Sequence, residues 1–240
     1  MRQGDPIAPL LFSLGIRPTL ELLQRTLPPN TTITAYLNNI YIFGASSAKI
    51  LPQVAQVFRD SPVTLNPTKS SEASISALKT KGLKALGSFI GPLHARRAFL
   101  QGKISALSSA LDAIRDLPKQ HALLLLKGSL HLLLRHLLRQ LNPQDLQDLW
   151  EQADSLIEAA IQALIARSPY DKAAPLQRAL IAIPVREGGL GIPNHAKLAP
   201  KLYEAAYRAS LPLIKRIRPS YTPHCTLSEL IAKETLEVAT

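Results

Sequence analysis

The chain is poor in the residues that staple or mark a protein. Its 240 residues include one cysteine, Cys225. That excludes an intramolecular disulfide and any zinc site built on a cysteine cluster, and it points to a reducing, intracellular setting, nucleus or cytoplasm. Tryptophan and methionine each occur once and aromatics make up 5% of residues, so the core has to be largely aliphatic. Acids are scarce beside bases: 17 Asp and Glu against 28 Lys and Arg, a formal charge of +11. The imbalance favours a polyanionic partner, nucleic acid ahead of an acidic membrane surface. Long apolar runs are missing as well. Lys127, His131, Arg135, His136 and Arg139 cut the leucine-rich stretch 122–141, which leaves nothing near the about 20 apolar residues of a membrane span. The N-terminus, interrupted by Asp5, Pro6 and Pro9, does not read as a signal peptide.

What remains is globular in composition, 46% hydrophobic and 19% charged, and long enough for one large domain or two smaller ones. Ala35-Tyr36-Leu37-Asn38-Asn39-Ile40-Tyr41-Ile42-Phe43-Gly44 sets two apolar runs about an Asn-Asn pair. It predicts a tight β-hairpin turning at Asn38 and Asn39, because Asn tolerates the left-handed backbone of a two-residue loop. Ahead of it, Asp5 can cap a helix beginning at Pro6, with Leu10, Leu11, Leu14, Leu20 and Leu23 as its apolar face and a bend or break at Pro18. A helix is expected over 46–58, a short strand at 62–65 leading into the Asn66-Pro67-Thr68-Lys69 turn, and an alternating strand over 84–91.

From Gly102 the pattern is helical, with Ile104, Leu107, Leu111 and Ile114 on one face and Pro118 as the stop. Residues 120–141 read as a single leucine-rich helix, on which Lys127, His131, Arg135 and Arg139 recur every four positions along one stripe. Such a stripe is either the wet edge of a buried helix or a basic edge for a nucleic-acid backbone. Asn142 and Pro143 start a third helix, with Trp150 in its core face, and three such helices make a bundle. Gly188-Gly189-Leu190-Gly191 reads as a turn, since no Gly-Lys-Ser/Thr follows it. Thr226 with Glu229 forms a capping box for a final helix. His94, His121, His195 and His224 stand alone in the sequence, and the Asp residues are scattered.

Arg2-Gln3-Gly4-Asp5-Pro6-Ile7-Ala8-Pro9-Leu10-Leu11-Phe12, the hairpin, Asn66-Pro67-Thr68-Lys69 and the Leu86-Gly87 strand follow one another in an order that resembles reverse transcriptases of non-LTR retrotransposons. The Gly-Gly-Leu-Gly-Ile segment after the helical region is similar too. The resemblance implies an α+β fold: a partial polymerase palm, a small antiparallel sheet with helices, over 1–95, an all-helical thumb over 96–168 and a helical post-thumb region over 169–240. It implies template and nucleotide contacts for Arg2, Gln3, Gly4 and Lys69, and backbone contacts for Lys127, Arg135 and Arg139. In the family the hairpin reads Tyr, any residue, Asp, Asp, and with a third aspartate it holds Mg2+; here the acids are Asn38 and Asn39.

Two-metal nucleotidyl transfer needs charged, hard oxygen ligands, which an amide does not supply. The third aspartate would lie upstream of the first motif, ahead of Met1. No intact catalytic residue, metal site or cofactor is therefore expected: the chain reads as a truncated, inactive relic of a transposable element with residual RNA or DNA binding. The alternative is a domesticated nucleic-acid-binding or scaffolding protein. Unpaired palm strands predict an apolar edge that another molecule or a second copy covers, and no membrane partner.

Overall fold

A computed structural model describes residues 7–36, 39–44, 50–66, 70, 73–165, 180–217 and 219–220. The fold is α+β and mostly helical, with two small two-stranded sheets. Contacts divide the chain into two units, Met1–Leu86 and Gly87–Thr240.

The first unit opens on α1 (Ala8–Thr26). Pro18 does not break it: the proline is exposed, as is Leu14, so the carbonyl that loses its donor has solvent beside it. Ile16 and Leu23 turn inward, with Leu20 half-buried, whereas Ile7, Leu10, Leu11 and Leu14 are 57%, 60%, 49% and 55% exposed. The leucines expected to form one face therefore lie on two. Antiparallel β1 (Thr32–Tyr36) and β2 (Asn39–Phe43) follow, then α2 (Ile50–Arg59), whose Ile50, Val54 and Phe58 are buried. Ile33, Ile40 and Ile42 share one face of the hairpin and pack onto the helices.

The hairpin turns one residue earlier than the sequence reading placed it. Tyr36 pairs with Asn39, so Asn39 opens β2 and does not belong to the turn. This register sets Ile33 against Ile42 and Thr34 against Tyr41. A turn at Asn38–Asn39 would have set Ile33 against Gly44 and forfeited a β-branched cross-strand pair. Residues 62–65 form a bend and irregular chain instead of a strand, although Val63 and Leu65 still pack on the core. Helix α3 (Ile75–Thr80), capped by the Ser74 side chain, leads to β3 (Leu83–Ala85).

The expected single strand over 84–91 is a hairpin, β3 with β4 (Ser88–Ile90). Its two connecting residues, Leu86 (φ 49°) and Gly87 (φ 76°), both have the positive φ that a tight two-residue turn requires.

The second unit continues with α4 (Leu93–Ala113), which takes Gly102 into its interior instead of starting there. Leu100, Ile104, Leu107 and Leu111 are buried on one side of it. Helix α5 spans Lys119–Gly128, and 3-10 turns follow at Leu130–Leu132 and Leu137–Arg139. Helix α6 (Gln147–Ile165) begins after a turn in which the Asn142 side chain accepts from the Gln144 amide at 3.2 Å. The last described helix, α7 (His195–Ile217), packs on α6 and on the turn at 137–139. Trp150 is fully buried among these elements, as expected. Among the described residues no helix is long and apolar enough to cross a membrane.

Candidate nucleic-acid interface

The hairpin connection is where the resemblance would put chemistry. Asn39 is exposed beside it, and Asn38, Arg2, Gln3, Gly4, Asp5 and Lys69 lie outside the described residues. Two residues on in β2, the Tyr41 hydroxyl accepts from the Leu86 amide at 3.2 Å. Among the described residues no three His, Cys, Asp or Glu side chains converge. The amide at Asn39 brings an oxygen but no charge, so the donor set does not fit a pair of magnesium ions.

The basic stripe over 120–141 is not continuous. The helix stops at Gly128 because Gly-Ser is a weak place to propagate it and because His131 offers the chain end a partner. The His131 ring is buried, and its Nδ1 donates to the Leu126 carbonyl at 3.1 Å, in the last turn of α5. Burial holds that ring below the usual histidine range, against the smaller opposing effect of the Leu126 bond. The following residues use i to i+3 bonds, such as Leu133 to Leu130 and Leu137 to Leu134, which turn Leu134, Leu137, Leu138 and Leu141 into the core. Of the four stripe positions, Lys127 is half-buried on α5, His131 is internal, and Arg135 and Arg139 are exposed on the 3-10 segment. Helical spacing does not relate them to one another.

Solitary His195 in fact has partners on two sides. One Asp154 carboxylate oxygen accepts from the His195 backbone amide and faces its Nδ1, both at 2.8 Å, and the other accepts from the Ala196 amide at 2.9 Å. The His195 Nε2 faces the His131 carbonyl at 3.1 Å. Both ring nitrogens thus face oxygen atoms. With the ring 2% exposed and its outer nitrogen occupied, no room is left for a substrate, and the group is structural. Asp154 acts as a second cap on α7, adding to Asn194, whose side chain accepts from the Lys197 amide at 2.7 Å. No local signal announces the pair, since the residues are 41 apart.

A second clamp joins α4 to α6. Arg97 forks onto both Asp148 carboxylate oxygens and also donates to the Asp145 carbonyl at 2.7 Å. The guanidinium hydrogen bond holds the Asp148 carboxyl below the usual carboxylate range.

The glycine-rich loop carries no phosphate cradle. The amides of Gly188, Gly189, Leu190, Gly191 and Ile192 all donate to carbonyls within residues 180–185, so none is turned out to an anion. A Cβ on Gly189 would lie 2.0 Å from the Ile183 carbonyl oxygen, which is why that position must be glycine. No family model, curated protein or solved structure matches the chain.

Proposed function

We propose that this chain is a reverse-transcriptase-like protein that does not polymerise and that holds RNA or DNA by its phosphate backbone. The observation that carries the reading is the pair of amides, Asn38 and Asn39, in the sequence position where the resemblance has two aspartates, downstream of the Arg2-to-Phe12 segment. In a polymerase that place supplies negative charge to two cations about 4 Å apart, and neutral side chains leave those cations unbalanced. On this reading the first unit is the palm remnant, and the helical unit is the thumb with its post-thumb extension. The excess of 11 positive charges over the chain supports the polyanion partner.

The domesticated alternative draws support from the second unit. A half-buried carboxylate that takes two amides and faces a buried histidine ring, all from an element 41 residues on, is a long-range feature that local sequence pattern does not maintain by itself.

The reading is tested by equilibrium binding of a labelled RNA oligonucleotide to the full chain at stepped salt. The logarithm of the affinity is expected to fall linearly with the logarithm of salt concentration, with or without magnesium. Absence of binding at low salt would overturn it.

A further inference from the structure

Helix α7 carries most of its charge on one side, with exposed Arg216 about 100° around the axis from Lys215. Lys197, Lys201, Arg208 and Lys215 are all exposed. At 3.6 residues per turn they fall within about 40° of one another around the axis, in a row about 27 Å long. Glu204 is the sole acid of this helix and is taken up by Arg208, its neighbour four residues on. Among the described residues Lys197, Lys201 and Lys215 make no ion pair.

The row is aimed by the packing behind it. Ala196 and Ala199 are buried on the other side of the helix, against α6 and the turn at 137–139, and Asp154 pins the helix start. Exposed Arg139 belongs to that same turn, and exposed Arg135 to the segment leading into it.

We infer that this face of α7 is the seat of the nucleic-acid backbone, an inference that rests on the function proposed above and gives it a site. Phosphates on one strand of a duplex recur every 3.4 Å or so of axis, so a row of this length runs alongside about eight of them. Three unpaired lysines in one line release counterions from such a backbone without reading its sequence. An anionic membrane is the poorer match. An interfacial helix inserts an apolar face, and the alanine face of α7 is already consumed by the core. Ala205 and Pro212 flank the row on one side and half-buried Pro200 and Leu211 on the other, while exposed Leu213 lies on the far side of the helix.

The test compares the full chain with K197Q/K201Q/K215Q and with K127Q/R135Q/R139Q, using a labelled single-stranded RNA of about 20 nucleotides and stepped salt. The α7 variant is expected to bind about a hundredfold more weakly at 0.1 M salt, with a salt slope shallower by about 2. The 127/135/139 variant should lose less. Thermal melts by circular dichroism should overlay for the α7 variant and the unaltered chain, since every α7 position changed is exposed. RNA binding that survives in the α7 variant, or that falls further in the other, overturns the site but leaves the proposed function standing. No binding by the unaltered chain overturns both. Phosphatidylserine vesicles that retain the chain as tightly as RNA does, through the same three lysines, would reassign the face to a membrane.

Discussion

The two units solve the problem of an aromatic-poor chain with unequal success. Among the described residues the second unit buries 21 side chains in one cluster, from Leu100 to Ala199, and closes it with a half-buried carboxylate and a two-residue fork. The first unit buries six, Ile16, Leu23, Leu27, Ile50, Val54 and Phe58, beneath a two-stranded sheet. Its α1 has more leucine than that core can take, and Ile7, Leu10, Leu11 and Leu14 face outward. The lesson is about partners for apolar faces. Helices stacked on helices, as α4, α6 and α7 are, give each apolar stripe a neighbour, whereas a lone hairpin covers only one side of a helix.

Trp150, the sole tryptophan, lies buried in the second unit, so its fluorescence follows that unit alone while circular dichroism follows both. The largest expected effect breaks the stronger unit. Asp154→Ala removes the acceptor of two helix-start amides and a buried histidine and should cost about 4 kcal/mol. The urea midpoint read by Trp150 would fall accordingly; a loss within 1 kcal/mol or so would show that the network contributes little to stability. Next, Leu23→Ala in the thin core should cost about 3 kcal/mol. It should melt the first unit while the Trp150 transition stays in place. If both probes shift together, the two cores are not separate in stability.

A gain is expected at the point where one unit gives way to the other. Leu86 holds a left-handed backbone at φ 49°. Leu86→Asn should relieve about 1 kcal/mol of that strain, raising the melting temperature, and an unchanged or lower one would argue against strain there.

The acid response should be smaller and confined to the second unit. The folded His131 ring binds its proton less readily than the unfolded ring does, so its contribution is whole above about pH 6.5 and drains as pH falls. Asp148, depressed by Arg97, contributes fully above about pH 4 and loses its share below that. A Trp150 midpoint that rises on acidification from neutral pH would contradict both signs. Least of all should Leu10→Lys with Leu14→Lys alter the melt, since both leucines are exposed. What should drop is light scattering from self-association, and scattering that persists would place the sticky surface elsewhere, such as the sheet edge with exposed Phe43.

Much of this difference was legible in the sequence where periodicity was strong. Ile104, Leu107, Leu111 and Ile114 are buried as their spacing required, as is Trp150 on α6. The failures come where a tertiary partner outweighed the local pattern. His131 looked like one more member of a polar stripe until its ring capped Leu126 and ended the helix. On α1, leucines three and four apart describe a face but not which face meets a neighbour. Asn38 and Asn39 share the turn signal equally, and the cross-strand fit of Ile33 with Ile42 decided between registers. The charged row on α7 was open to inspection at spacings of four and seven, but a row matters only once its opposite side is known to be packed. Asp154 and His195 gave no signal at all, because nothing local links residues on different helices.

The central claim is that this protein holds nucleic acid and cannot copy it. Purified chain incubated with a primer annealed to an RNA template, deoxynucleoside triphosphates and magnesium tests both halves in one gel. A retarded complex with a primer of unchanged length is the expected result. A primer lengthened only when magnesium is present would contradict the account.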